Sequence, residues 1–210
     1  MYLREIFQVD DRDVQLDIIR EDGWGHVVGA QDGVPFASHH PFVLIGEQGQ
    51  EKLEFHLPKA SPHWCSLDDG ELKLIVFEGP KHYISPKWCQ DERALPTWAY
   101  VAVHVYGKPQ LIEDPDLIRA HLGRLVDFNE ARIGDAWSLD SVDAGHISRT
   151  QRGIVGFEMS IERIESNFRL LQNRPAEDRR NIADILSKLD DTRAKKIADW
   201  VRRHSLGGEQ

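Results

Sequence analysis

The chain has 210 residues, 40% of them hydrophobic, with six Trp, eight Phe and four Tyr. That is enough for the core of one ordinary domain and excludes intrinsic disorder. The formal charge of −9 argues against broad, sequence-independent nucleic-acid binding, and no apolar run approaches the roughly 18–20 residues of a membrane span.

The amino terminus, MYLREIFQVDDRD, lacks an apolar signal region, and only two cysteines occur, Cys65 and Cys89; both features point to a reduced, cytoplasmic protein. Asp10 or Asp11 can cap a helix whose apolar residues Val14, Ile18 and Ile19 recur at helical spacing, and Gly23 stops it. The period then changes. HVVGA, PFASHHPFVLI, KLEFHLP, LKLIVFEG and WAYVAVHVYG are β-rich runs separated by Gly, Asp and Pro, which predicts an antiparallel barrel or sandwich.

Residues 113–132, EDPDLIRAHLGRLVDFNEAR, predict a helix with Pro115 near its start and a stripe of Leu117, Leu122, Leu125, Val126 and Phe128. GIVGFEMSIERIE returns to strand, with Val155, Phe157, Met159 and Ile161 on one face. Two helices close the chain. One starts at Pro175, carries Glu177 and Asp178 in its first turn, and presents Ile182, Ile185, Leu186 and Leu189. The other covers about 191–204, with Ile197, Trp200 and Val201.

Residues 169–210 hold ten Lys or Arg against seven Asp or Glu, a net of +3 that leaves −12 on residues 1–168. A basic tail of this kind can meet DNA or an acidic partner, or be a solvated helical face with i,i+4 ion pairs. No helix-turn-helix with a basic recognition helix accompanies it.

GWGHVVG (Gly23, Gly25, Gly29) fails the dinucleotide fingerprint in spacing and context and reads as turn glycines. His39, His40, His56, His63 and Cys65 fall within 27 residues. Adjacent histidines on a strand point to opposite faces, however, and no paired ligand spacing occurs, so no metal site is expected. Nothing marks an activated thiol or hydroxyl. Two stretches carry more chemistry. HLPKASPHW gathers His56, Lys59, Ser61 and His63 at a strand end, a combination that can cradle a phosphate. FEGPKHYISPKW ends a strand at Gly79-Pro80 and then presents Tyr83, Ser85 and Trp88, either to a flat hydrogen-bonding ring or simply as a rigid, well-packed loop.

In order along the chain, MYLREIF, SHHPF, HLPKASP, GPKHYISPKWC, TWAYVAVHVYG and GFEMSIERIESNFRLLQNRPAEDRR resemble the motifs of the PaiB-like, FMN-binding "negative transcriptional regulators". Those motifs run MY…F, SHLPF, HLARANP, GPxAYISPSWY, TWNYxxVHxYG and GFEIxIxRIExKxKLSQNRxxEDR. The resemblance implies an α+β fold, an antiparallel split β-barrel of the flavin-reductase type, in a homodimer that holds FMN at its subunit interface. It implies a barrel domain over 1–168 and a basic helical extension over 169–210 packed on it. Carried onto this chain, the FMN contacts are Ser38, His39, His56, Lys59, Ser61, Tyr83, Ser85, Trp88, Trp98, Gln172, Asn173 and Arg174. His40 replaces a Leu, is placed on the opposite face from His39, and receives no binding role.

Several polar groups of the motif change here. The family's Arg becomes Lys59, which forfeits a bidentate phosphate contact, and its Asn becomes Ser61. SWY becomes KWC at 87–89, an amide is lost at Ala99, a lysine at Asn167 and a serine at Leu171. Three functions are compatible with this pattern: a regulator that uses FMN as bound signal or redox sensor, an NAD(P)H:flavin reductase-like oxidoreductase, or a small-ligand binder that has lost FMN.

Overall fold

The computed structural model of the chain describes residues 1–31, 33–134 and 137–207. In chain order its elements are α1 (Arg12–Asp22), β1 (Trp24–Gln31), β2 (Val34–Pro41), β3 (Val43–Ile45), β4 (Lys52–Pro58), β5 (Lys73–Ile84), β6 (Thr97–Gly107) and β7 (Pro109–Ile112). There follow α2 (Pro115–Ile133), α3 (Ala144–Gln151), β8 (Ile154–Ser160), β9 (Arg163–Arg169), α4 (Ala176–Lys188) and α5 (Thr192–Ser205). The class is α+β with antiparallel sheets, as expected from the sequence. Residues group into two compact units, one of Met1–Gln15, Glu78–Val103 and Glu165–Gln210, the other of Leu16–Phe77 and His104–Ile164. The basic extension therefore shares a unit with two earlier segments; its last three residues, 208–210, lie outside the described residues.

In the second unit β1 and β2 form a long hairpin, paired from Trp24↔Pro41 to Gln31↔Val34, and β1 pairs on its other side with Leu74–Phe77 of β5. A four-stranded sheet runs β3-β4-β8-β7. Alternation decides what it buries. Leu53, Phe55 and Leu57 on β4 and Phe157 and Met159 on β8 are fully buried, with Phe55 directly opposite Phe157. Phe42 joins them, its ring 5.0 Å from Phe55 and 5.2 Å from Phe77. Each such ring contributes on the order of 2–3 kcal/mol of burial.

In the first unit, Phe168, Leu170, Leu171, Ile182, Leu186, Ile197 and Val201 are all buried. Trp200, 1% exposed, meets Phe168 edge-on at 5.3 Å. Asp11 is the cap of the first helix, accepting from the backbone N–H groups of Asp13 and Val14 at 3.0 and 3.2 Å. Gly23 ends that helix at φ +65°, a left-handed position suited to glycine.

Several sequence expectations need correction. PFASHHPFVLI is two strands, β2 and β3, broken at Phe42, whose N–H turns to the Gly23 carbonyl. GIVGFEMSIERIE is likewise two strands: β8 belongs to the four-stranded sheet, while β9 neighbours β6 in the other. Ile161 lies between them, and Glu162 donates its N–H to the Tyr106 carbonyl. β5 does not end at Gly79-Pro80 but continues to Ile84. Its pairing with β1 stops at Phe77, so the missing Pro80 N–H breaks no bond of that ladder. Gly25 and Gly29 are strand residues, not turn residues. A Cβ on Gly29 would stand 2.6 Å from Cζ of Phe36, its partner across the hairpin. On α2 the buried face is Ile118, His121 and Leu125, and Leu117 is 55% exposed.

Candidate functional site

The loop after β4 is organised by its own polar groups. Ser61 caps the 3-10 turn Pro62–Ser66, its Oγ accepting from the His63 N–H. Lys59 donates its N–H to the Gly153 carbonyl at 2.8 Å, and its own carbonyl accepts from the Trp64 indole at 3.0 Å. The turn carries His63 against β2, where its Nδ1 lies 2.6 Å from Ser38 Oγ and its ring stacks on Phe36 with centroids 3.8 Å apart.

Phe36, Ser38 and His40 share one face of β2 by alternation, and His39 lies on the other, exposed, with its ring against His26 at 4.3 Å. His40 Nε2 is buried and has no hydrogen-bond partner among the described residues. Burial first, then the neighbouring His39 and His63, push the His40 pKa down to about 4.

His56 belongs to a chain of polar groups. Its Nδ1 is 2.9 Å from Nε2 of His121, whose Nδ1 faces Glu54 Oε2 at 3.3 Å. Arg124 grips the same carboxylate with two bonds of 2.9 and 2.7 Å. Burial works to raise the Glu54 carboxyl, but hydrogen bonds from His121 and Arg124 outweigh it and hold the group below the usual range. The His56 pKa is pushed down to about 4 by burial, then by His121 and His40. A carboxylate only accepts, so His121 Nδ1 carries a proton toward Glu54. The free nitrogen of a neutral His56 then donates to a ligand only when His121 holds both protons; otherwise it accepts.

Beside this loop is a cavity of about 700 Å³, within the range of ligand pockets. Buried Ile112, Ile118 and Val155 line it together with Trp64 and two exposed cations, Lys59 and Arg152. Neither cation has an ion-pair partner among the described residues, and Glu113 is the one carboxylate of the lining. Apolar walls with two cations suit a ligand with an apolar body and an anionic group. Arg152 follows α3, a helix the sequence reading missed because its eight residues bury only Ile147. The legible signal was Asp143, which caps it by accepting from the His146 N–H.

The other predicted contacts lie in the first unit. Tyr83 and Trp98 are 43% and 54% exposed, with rings edge-to-face at 6.0 Å. Ser85 caps the turn Pro86–Trp88 by accepting from the Lys87 N–H, and Trp88 stacks with His82 at 6.4 Å. Gln172 uses both ends of its amide locally, accepting from the Leu170 N–H and donating to the Phe168 carbonyl. Arg174 donates to Cys89 Sγ and to the Leu95 carbonyl, each at 3.0 Å. Arg174 and Asn173 line a second cavity of about 670 Å³, together with Arg169 and Asp178. At the altered motif positions, Ala99 and Leu171 are core residues, and Asn167 is 6% exposed with its Oδ1 unbonded among the described residues. On α5, Arg193 and Arg202 are paired with Asp191 and Asp184, which neutralises part of the basic surface.

Residues 1–163 match the model of a family described as "Putative FMN-binding domain". The chain belongs to this family. The resemblance read from the motifs is thus borne out, and a relative aligns along nearly the whole chain. "Protease synthase and sporulation protein PAI 2" of Bacillus subtilis is 30% identical over 202 residues, 96% of each chain. Among solved structures, the flavocytochrome Anf3 from Azotobacter vinelandii superposes with a TM-score of 0.59 at 16% identity, covering 80% of this chain and 72% of that one. The FAD and heme binding protein from Mycobacterium smegmatis gives 0.58 at 17%, covering 78% and 73%. At these identities the likeness is one of fold. Among the described residues no helix is long and apolar enough to cross a membrane, and no group of three or more His, Cys, Asp or Glu could hold a metal ion.

Proposed function

We propose that the protein binds FMN and uses it as a bound ligand or redox sensor, with the phosphate held at the loop after β4. The observation that carries this reading is Lys59, a cation without an ion-pair partner among the described residues, on an apolar-walled cavity of about 700 Å³ and inside the stretch matched by the FMN-binding family. Relatives in fold described as a flavocytochrome and as an FAD and heme binding protein support a flavin as the ligand class. Bound flavin would supply one- and two-electron redox chemistry. This chain's residues would bind and orient it: Lys59 through its charge, and Ser61 by fixing the turn that carries His63 against Ser38.

The same reading makes the working species a homodimer, in which a second copy covers exposed aromatic surface such as the Tyr83–Trp98 pair. Light scattering at micromolar concentration should return twice the chain mass, and a monomer would remove that part of the proposal. For the ligand, fluorescence titration should show FMN bound on the order of 10- to 100-fold more tightly than riboflavin, since a charge-assisted phosphate contact contributes about 1.5–3 kcal/mol. Salt should narrow the gap. Equal affinities would mean that the phosphate contact is misassigned, and no binding of either flavin would end the reading.

A further inference from the structure

We propose that Arg152 is the second cation of the phosphate site that Lys59 begins, a specificity-determining residue for phosphorylated ligands; this rests on the FMN reading above. The backbone brings the two residues together. Pro58 of β4 pairs with Ile154 of β8, and one step beyond the ladder the Lys59 N–H bonds to the Gly153 carbonyl at 2.8 Å. Lys59 and Arg152 therefore flank the same end of the strand pair and line the same cavity.

Two like charges on the lining of one cavity repel each other. Here neither has a neutralising partner among the described residues. Other cations of this chain in comparable positions do have one: Lys52 meets Glu158 across the same two strands, and Arg119 meets Asp140. The missing counter-charge between Lys59 and Arg152 is what a bound dianion supplies.

The arrangement also resolves a chemical deficit. Lysine at 59 offers a point charge where the family motif has a planar fork, and Arg152 returns the fork from a different segment. The segment is fixed, because Gln151 donates its side-chain amide to the Pro115 carbonyl at 3.2 Å and so ties the end of α3 to the start of α2. Glu113, on the same lining, sets a limit. Its carboxylate disfavours a polyanion and so favours one phosphate over a longer polyphosphate tail.

The test compares wild type, Arg152→Ala, Arg152→Lys and Lys59→Ala in two assays. One is fluorescence titration with FMN and with riboflavin; the other is thermal unfolding with increasing inorganic phosphate. Arg152 is exposed, so each variant should melt with wild type when no ligand is present. We expect Arg152→Ala to weaken FMN roughly 10- to 100-fold while leaving riboflavin unchanged, and Arg152→Lys to recover part of the loss. If FMN binds and Arg152→Ala does not weaken it, the inference falls and the FMN reading stands. If wild type binds no flavin, yet phosphate raises its melting temperature and fails to do so in Arg152→Ala, the FMN reading falls and the anion site stands. With neither effect in wild type, both fall.

Discussion

Arg124 and Glu54 form a two-bond pair in which the Glu54 side chain is almost wholly buried, 6% exposed, while the Arg124 side chain keeps 38% of its surface in water. The pair supports more than itself, because Glu54 also orients His121, and His121 in turn meets His56. Removing the cation leaves a buried charge with one remaining partner. Arg124→Met should therefore cost about 2–3 kcal/mol, toward the low end for a broken buried pair because Arg124 is partly solvated. Urea unfolding at pH 7 reads this directly. Adding Glu54→Gln should recover part of the loss, and a single-variant loss below about 0.5 kcal/mol would show the pair to be inert.

Acid should act through His40 and His56, both with folded pKa values of about 4 against an ordinary 6.5. In the unfolded chain they take up protons below about pH 6.5, whereas in the folded chain they resist until about pH 4. The unfolded state binds more protons in that window, so stability falls as pH drops through it and levels off below. Urea midpoints between pH 7 and 4 should trace this slope.

His40→Leu tests one group alone. It removes a buried nitrogen that has no partner among the described residues and restores the residue type of the family motif. Stability at pH 7 should rise by about 1 kcal/mol, since an unsatisfied buried polar atom costs roughly 1–3 kcal/mol. The acid slope should also become shallower. A loss of stability at both pH values would mean that the ring makes a contact worth more than its desolvation.

Gly29→Ala should push on the Phe36 ring, which the new Cβ would approach to 2.6 Å. Phe36 cannot yield freely, because it stacks on His63, and His63 bonds Ser38. A cost of about 1–3 kcal/mol is expected. Unchanged urea midpoints would show that the ring swings aside without penalty.

A chain ended after residue 168 should fail to fold cooperatively. It would lose Leu170, Leu171 and the whole inner face of α4 and α5, including Trp200, which covers Phe168. Loss of near-ultraviolet circular dichroism with retained far-ultraviolet signal is the expected readout.

The sequence made regular elements legible wherever one local signal dominated: Asp11 as a cap, alternation in β6, and the apolar face of α5. It misled where tertiary pairing overrode local punctuation. Gly79-Pro80 looks like a strand end, but β1 does not reach it, so the strand passes through. Leu117 scored as core by type, while His121 took the inner position because Glu54 and His56 complete its hydrogen bonds. Lys59 was legible as a candidate from its motif. Arg152 was not, since its pairing with Lys59 depends on strand register across nearly a hundred residues of intervening chain.

The segment composition of the two units also sets an order of events during synthesis. The second unit is complete in sequence once residue 164 has been made, whereas the first combines residues 1–15 and 78–103 with a segment that begins at 165. As the chain leaves the ribosome, the second unit can close while the earlier pieces of the first still wait for their partners. The loop that carries Trp88, which α4 holds through Asp178 and Asn181, therefore stays without that partner until the final quarter of the chain arrives. A nascent chain stalled near residue 170 should bind chaperones through that loop, and release them when α4 emerges.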